Sequence, residues 1–169
     1  MTTAHTITPI WQGDTVAVIG CGPSATPEAI ESLQVDRVIV VNHAHRLVAW
    51  ADMLVALDGN WPQEYRDFHG MRVTGIEDPD LDALYIGPRW ERVGSLEIRN
   101  SGLTAIRVAA AMGAARIVLV GFEPEDARRF CDVPTAHLPH ADDPYRGVAE
   151  GLAQIVAELK AAGIEVEHV

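Results

Sequence analysis

The chain has 169 residues, of which 48 % are hydrophobic and 22 % charged, and its formal net charge is −11. This length predicts a single domain, residues 1–169, large enough to enclose a core. The acidic excess argues against broad electrostatic binding to nucleic acid. No apolar run approaches the ~20 residues of a membrane span, so we expect no membrane partner. A polar start without a signal-peptide pattern and only two cysteines favour a cytoplasmic location.

Short apolar runs alternate with helical patterns along the first half of the chain. Strands are predicted where apolar and β-branched residues indicate burial, at 15–20, 37–41, 53–57, 71–74 and 83–86. Helices are predicted between them, at 23–33, 44–50 and 62–69. The acidic run 77–82 is typical of a solvated loop.

The second half continues the alternation. An alanine-rich helix is predicted at 103–112, a buried strand at 116–120, an amphipathic helix at 147–162 and a last strand at 164–169. The proline-containing stretch 123–145 is predicted to be a short lid-like loop. Alternating buried strands and helices predict an α/β fold with a doubly wound, mostly parallel sheet and helices on both faces, which is a Rossmann-like arrangement.

A glycine-rich turn follows the first predicted strand. The sequence Gly20-Cys21-Gly22-Pro23-Ser24 places two glycines before a proline suited to the first turn of a helix, which predicts a phosphate seat at a helix N-terminus. Extended to Ala25, the run also fits the dinucleotide fingerprint, but that fingerprint needs an acidic residue after the second strand, where Asn42 stands. A nicotinamide cofactor is therefore disfavoured. The alternative is that the glycines only allow close packing.

Small or polar residues follow each predicted strand or precede the next helix. In an open parallel sheet, ligands bind beyond the carboxyl ends of the strands, near the point where the strand order reverses. The loops that this rule selects are 20–24, 42–43, 58–60, 100–102 and 121–123. The loop 100–102 also offers a helix cap and free amides. These loops predict one ligand site at one edge of the sheet.

Four of these motifs resemble, in order, those of a Rossmann-like family: Gly20-Cys-Gly-Pro-Ser24, Val41-Asn42, Asn100-Ser-Gly102 and Ile117-Val-Leu-Val-Gly-Phe-Glu123. That family contains bacterial sialyltransferases that use CMP-sialic acid, MptE-like hydroxymethylpterin pyrophosphokinases and uncharacterised bacterial and phage proteins. The chain differs from the family at Cys21, where asparagine is usual, and at Glu123, where aspartate is usual. The part of the lid from Glu125 to Asp143 also lacks the expected tyrosines.

The resemblance implies which residues form the site. It places Gly22, Ser24, Asn42, Ser101, Gly102 and Glu123 around the nucleotide. Together with Gly20, Asp58 and Asn100 of the same loops, these residues are the predicted nucleotide-binding set. The resemblance also implies that the segment 136–140 carries the catalytic histidine, with His137 as the first candidate and His140 as the second.

The predicted function is transfer of a sugar from a nucleotide-sugar to a hydroxyl acceptor, with the donor as the small-molecule partner and no further cofactor. Negative charge that grows on the departing phosphate would be stabilised by the helix N-termini and the hydroxyls of Ser24 and Ser101. His137 would take the proton of the acceptor hydroxyl as a general base.

Two other functions stay open at this stage. In a pterin-type pyrophosphokinase, Asp58 and Glu123 would hold Mg²⁺ that bridges the phosphates of ATP. A non-catalytic nucleotide-binding or sequestering protein is the third hypothesis. The pair His43-Ala-His45 lacks the companion ligands of a structural zinc site, so we predict no metal site there. A homodimer through a free sheet edge also stays open.

Overall fold

Seven parallel strands form the central sheet in a computed structural model that describes residues 5–57, 61–78, 80–87, 91–93, 96–123 and 147–169. The strands are β1 (Thr15–Ile19), β2 (Arg37–Val41), β3 (Met53–Val55), β4 (Met71–Thr74), β5 (Leu84–Tyr85), β8 (Arg116–Val120) and β9 (Glu165–His168). Two further strands, β6 (Glu91–Val93) and β7 (Leu96–Ile98), pair with each other in antiparallel fashion. The sequence pattern predicted all seven strands of the central sheet but not β6 and β7.

Four α-helices and one 3₁₀ helix accompany the strands in the described part of the chain. They are α1 (Pro27–Glu31), the 3₁₀ helix (Asn42–Arg46), α2 (Gln63–Arg66), α3 (Ser101–Ala111) and α4 (Val148–Ala161). The predicted helix at 44–50 is thus a 3₁₀ helix that begins two residues earlier, directly after β2. No helix in the described part of the chain is both long and apolar enough to cross a bilayer.

The strand order in the sheet is β5-β4-β3-β2-β1-β8-β9, and every pairing in it is parallel. The chain builds outward from β1 to β5 and then returns to the other side of β1 with β8. The order therefore reverses between β1 and β8, and this is the point where open α/β sheets bind ligands. The predicted Rossmann-like α/β fold is confirmed.

Two hydrophobic cores cover the two faces of the sheet. Residues of α3 and α4, among them Ile106 and Ile155, pack on one face, and residues of α1 and α2, among them Ile30 and Tyr65, pack on the other. The central strands are buried on both sides, since the last four residues of β1, β2 and β8 are all buried. Helices on both faces are as predicted.

Helix α1 differs from its prediction in a way that affects the site. It begins at Pro27, not at Pro23, and it is five residues long. Thr26 caps it, because its Oγ1 accepts a hydrogen bond of 3.2 Å from the backbone N of Ala29. Pro27, one residue later, takes the first helical position. The predicted helix start at Pro23 is therefore wrong, and the turn after β1 lacks the helix N-terminus on which the predicted phosphate seat depended.

Candidate functional site

A pocket of about 130 Å³ lies at the carboxyl ends of β1, β2 and β8, next to the point where the strand order reverses. Seven of the residues predicted from the sequence line it: Gly20, Gly22, Asn42, Asn100, Ser101, Gly102 and Glu123. Phe122 and, from α4, Val148 and Leu152 add an apolar wall. The volume suits a phosphate with an adjoining ring, and it is below the ~300 Å³ at the lower end of small-molecule sites. A larger ligand would extend beyond it.

The glycines of the β1 turn allow two loops to approach closely. The backbone N of Gly20 donates to Val120 O at 2.8 Å, and the backbone N of Gly22 donates to Gly121 O at 2.9 Å. A β-carbon on Gly20 or Gly22 would stand 2.6 Å from Gly121 O. Both amides are therefore used inside the protein, and the close-packing alternative accounts for both glycines.

Ser24 connects the same two loops through a hydrogen bond. Its Oγ accepts a hydrogen bond of 2.8 Å from the backbone N of Gly121, which lies 97 residues away in the chain. Ser24 is not among the described residues that line the pocket. This hydroxyl joins the β1 turn to the β8 loop, and its predicted contact with the nucleotide has no counterpart in the pocket.

The N-terminus of α3 opens into the pocket. Asn100 is the N-cap, because its Oδ1 accepts from Leu103 N at 3.0 Å and its carbonyl accepts from Thr104 N at 3.0 Å. The first turn of a helix leaves backbone N–H groups without intrahelical partners. At α3 these are the amides of Ser101 and Gly102, both pocket residues. The positive end of the α3 dipole therefore faces the pocket.

Ser101 links this helix to β3 as well. Its Oγ accepts a buried hydrogen bond of 3.0 Å from the backbone N of Leu57. A hydroxyl that accepts one hydrogen bond keeps its own proton to donate. Ser101 can therefore offer both an amide and an O–H to a ligand.

Asn42 brings an unpaired acceptor to the pocket. Its φ is +50°, in the left-handed region that only glycine, asparagine and aspartate adopt with ease. Its Oδ1 is buried and has no hydrogen-bond partner in the described residues. A buried acceptor without a partner is costly, so this atom is suited to a ligand that donates.

Glu123 brings a second unpaired acceptor. Its Oε2 is also buried without a hydrogen-bond partner in the part of the chain that the structure describes. The carboxylate lies against Gly22, where a β-carbon would collide with Oε2. The residues that line the pocket thus include the first two of α3, with their backbone amides, and Asn42 and Glu123, each with one buried oxygen that has no partner in the described residues.

Phe122 is a pocket residue that sequence reasoning did not single out. A β-carbon on Gly102 would stand 3.0 Å from Phe122 Cε1, and one on Gly20 would stand 3.3 Å from Phe122 Cε2. The ring therefore lies between two glycines that leave room for it. An aromatic residue two positions after β8, together with glycines at the two facing loops, is a signal from which this packing could have been predicted.

A cluster of basic side chains surrounds Glu64 behind Asn42. Arg46 binds the carboxylate through both oxygens, at 2.9 Å and 2.7 Å. His43 Nδ1 lies 3.2 Å from Oε1 without the alignment of a hydrogen bond, and His45 Nε2 lies 3.4 Å from Oε2. The hydrogen bonds from Arg46 hold the pKa of Glu64 below its ordinary value. Burial, and then the charge of Arg46, lower the pKa of His43.

Other predicted site residues lie outside the described residues. These are Asp58, both histidines of the lid segment, His137 and His140, and the lid itself beyond Glu123. Within the described ranges, no group of three or more histidine, cysteine, aspartate or glutamate residues is arranged to hold a metal ion. The described part of the site therefore consists of Asn42, the α3 N-terminus, Phe122 and Glu123.

The comparisons with known proteins leave this site to be interpreted from its own geometry. No protein-family model matches the chain, and no curated protein matches it.

Proposed function

We propose that this protein binds a nucleotide or nucleotide-sugar in the pocket at the carboxyl ends of β1, β2 and β8, and that it is glycosyltransferase-like. The observation that carries the proposal is the convergence of donors and acceptors on one pocket. The amides of Ser101 and Gly102 supply donors, and the buried oxygens of Asn42 and Glu123 supply acceptors without partners. A ligand that meets both needs carries an anion and hydroxyl or amine groups.

A phosphate fits the donor side. The α3 N-terminus offers two backbone N–H groups and the Ser101 hydroxyl, and the helix dipole favours negative charge there. The 130 Å³ pocket holds a phosphate with one neighbouring ring, so the rest of a nucleotide lies outside it. The apolar side chains of Phe122, Val148 and Leu152 offer contact to the flat face of a ring.

Hydroxyl groups fit the acceptor side. The Oδ1 of Asn42 and the Oε2 of Glu123 accept hydrogen bonds from a ribose or sugar hydroxyl or from an exocyclic amine. Pairing of these two buried acceptors on binding removes a cost that the free protein bears. The acceptors therefore favour a sugar-bearing ligand over inorganic phosphate.

In the transfer reaction, the bond between the sugar carbon and the phosphate oxygen breaks, and a bond forms between that carbon and the acceptor oxygen. The electron pair of the broken bond stays with the phosphate, whose negative charge the α3 N-terminus stabilises. The acceptor hydroxyl gives its proton to His137, the general base that the family resemblance implies.

A pyrophosphokinase is the second candidate, and the unpaired carboxylate of Glu123 favours it. Carboxylate oxygen is the ligand type that Mg²⁺ prefers, and the unpartnered Oε2 of Glu123 suits that role. Asp58, the second carboxylate of the predicted magnesium site, lies outside the described residues. Bound Mg²⁺ would neutralise phosphate charge in the transfer of pyrophosphate. In this candidate, Ser101 and Gly102 bind the ATP phosphates and hold them beside the carboxylate.

A thermal-shift and calorimetric screen tests the binding proposal. The ligands are CMP, CMP-sialic acid, UDP-glucose, ATP and NAD⁺, each with and without Mg²⁺. Stabilisation by a cytidine or uridine compound without metal supports the transferase, and Mg²⁺-dependent stabilisation by ATP supports the pyrophosphokinase. Stabilisation by NAD⁺ in preference to the other ligands would contradict both.

Substitutions of the two unpartnered acceptors test whether the ligand binds in this pocket. Asn42→Ala and Glu123→Ala are expected to weaken the affinity for the stabilising ligand about tenfold each, the equivalent of one buried hydrogen bond. Trp50→Ala is the control, since this side chain is 69 % exposed and lies in a separate groove.

His137→Ala then separates catalysis from binding. Turnover that survives this change contradicts the base assignment, and binding without turnover in the unmodified protein favours a nucleotide-sequestering role.

A further inference from the structure

Arg99 differs from the other arginines in how its charge is balanced. Each other arginine whose side chain the structure describes lies within 4.0 Å of a carboxylate, and these are Arg37, Arg46, Arg66, Arg72, Arg107 and Arg116. Among the described residues, the partner of Arg99 is a backbone carbonyl and not a carboxylate. The chain carries 24 acidic and 13 basic residues, so acidic partners are abundant and Arg99 is an exception. Its charge is therefore available to an anionic ligand.

The guanidinium of Arg99 lies at the same edge of the sheet as the pocket. Its Nη2 donates a hydrogen bond of 2.6 Å to Leu57 O, two residues after the end of β3. A β-carbon on Gly75, the residue directly after β4, would stand 3.7 Å from the same nitrogen. Arg99 is therefore at the carboxyl ends of β3 and β4, and β3 pairs with β2, whose carboxyl end borders the pocket.

The backbone of Leu57 connects Arg99 to the pocket. Its carbonyl oxygen accepts from Arg99, and its N donates to Ser101 Oγ at 3.0 Å. Ser101 lines the pocket at the N-terminus of α3. A single residue therefore separates the guanidinium from the hydroxyl that faces the phosphate site.

Arg99 retains donors for a ligand. A guanidinium group has five N–H donors in one plane and no acceptor, and Leu57 O uses one of them. The residue is exposed, so a ligand can reach the others. Two parallel N–H groups of a guanidinium match two oxygens of one phosphate.

The size of the pocket leaves a second phosphate outside it. About 130 Å³ holds one phosphate, at the amides of Ser101 and Gly102, together with one ring. A further phosphate bonded to the first extends out of the pocket along the edge of the sheet. On the β3 side of Ser101, the cation that such a phosphate meets in the described part of the chain is Arg99.

We propose that Arg99 binds the second phosphate of a nucleoside diphosphate group. The ligand of the pocket is then a nucleoside diphosphate or its sugar ester, in preference to a nucleoside monophosphate. This inference rests on the proposed function, and it names the class of nucleotide that the site takes.

Calorimetric titration with UMP and UDP, and with CMP and CDP, tests the preference. The measurements are made with EDTA, so that no metal ion bridges the phosphates, and at pH 8, where the terminal phosphates are ionised. We expect each diphosphate to bind about tenfold more tightly than its monophosphate, the equivalent of one hydrogen bond between charged groups. Equal affinities would overturn the proposal.

Substitutions at Arg99 assign the preference to this side chain. Arg99→Gln should weaken UDP binding about tenfold and leave UMP binding unchanged, which also shows that the variant is folded. Arg99→Lys keeps the charge and should retain most of the preference. Arg37→Gln is the matched control, because it removes one positive charge at the amino end of β2, on the opposite edge of the sheet. If Arg99→Gln weakens UMP and UDP equally, Arg99 acts only by holding Leu57 and Ser101 in place, and the proposal is wrong.

Inorganic pyrophosphate separates a nucleoside diphosphate from a simple diphosphate anion. It brings no sugar hydroxyl or base amine to the oxygens of Asn42 and Glu123, so it should bind more weakly than UDP. Equal binding of pyrophosphate and UDP would contradict the proposal. If nucleotides bind without a preference for the diphosphate, this inference fails and the proposed function stands. If no nucleotide binds, both fail.

Discussion

The carboxylate of Glu123 lies directly over the α-carbon of Gly22, at a place where a β-carbon on Gly22 would collide with Oε2. This contact joins the turn after β1 to the loop after β8, and both residues line the pocket. The two loops approach so closely because Gly22 N also donates to Gly121 O at 2.9 Å.

Gly22→Ala should therefore destabilise the fold by more than 2 kcal/mol, since the new β-carbon meets backbone at 2.6 Å as well as the carboxylate. Urea unfolding measures the change in the free energy of unfolding. Gly13→Ala is the control, because its β-carbon would meet nothing within 4 Å and only its φ of +84° opposes the substitution. Equal losses in the two variants would contradict the close approach of the loops.

Ser24 and Ser101 should differ in their effect on ligand binding. Each hydroxyl accepts from a backbone amide, Gly121 N or Leu57 N, so alanine at either position should lower the free energy of unfolding by about 1–3 kcal/mol. Ser101→Ala should also weaken nucleotide binding, because Ser101 lines the pocket, while Ser24→Ala should leave it unchanged. Calorimetric titration of both variants distinguishes the two roles, and a larger loss of affinity in Ser24→Ala would reverse our assignment.

Asn42→Gly should separate stability from binding. Glycine adopts φ +50° without a penalty, so the free energy of unfolding should stay the same or rise by up to about 1 kcal/mol. Ligand affinity should fall, because the Oδ1 acceptor is lost. Asn100→Gly is the matched substitution at φ −141°, where loss of the cap to Leu103 N should lower stability slightly. A loss of stability in Asn42→Gly comparable with that in Asn100→Gly would contradict the assigned backbone strain.

Glu64→Gln should reduce the dependence of stability on acid pH. Arg46 lowers the pKa of Glu64 in the folded protein, so the charged carboxylate stabilises the fold at pH values above its ordinary pKa of 4.5. This contribution is lost as the pH falls through the pKa of Glu64 in the folded protein. The Glu64 side chain is 32 % exposed, so the loss at pH 7 should be about 0.5–1 kcal/mol. Thermal melts between pH 3 and pH 7 measure it, with Glu31→Gln on the exposed end of α1 as the control. An unchanged pH profile in Glu64→Gln would show that Arg46 does not stabilise this carboxylate.

The central strands could be predicted from the sequence because their residues carry the signal themselves. β2 and β8 are short runs of β-branched and aliphatic residues, and the structure buries them on both faces. The antiparallel pair of β6 and β7 has three-residue strands of mixed sequence character and gives no comparable pattern. Local composition was therefore sufficient for the strands of the central sheet and insufficient for the separate antiparallel pair.

The start of α1 shows where local reasoning fails. Pro23 and Pro27 both suit a first helical position, and the sequence alone does not choose between them. In the structure, Ser24 just after Pro23 is bound to Gly121, and Thr26 caps the helix instead. The choice depends on a contact between residues 97 positions apart.

The candidate site was predicted as a group of loops, and the structure supplies the chemistry. The rule that ligands bind beyond the carboxyl ends of strands selected Asn42 and the loops at 100–102 and 121–123, which meet at one pocket. The left-handed conformation of Asn42 and the buried, unpartnered state of its Oδ1 could not be predicted from the sequence, because the packing of the fold around Asn42 sets them.

The most direct test of the account is a titration of the ¹⁵N-labelled protein with CMP and then with ATP, followed by amide chemical shifts. We predict that the amides of Gly20, Asn42, Gly102 and Glu123 shift together and saturate with one binding constant. Shifts confined to the separate groove around Trp50 and His69, or no saturable shift with either nucleotide, would contradict nucleotide binding at this pocket.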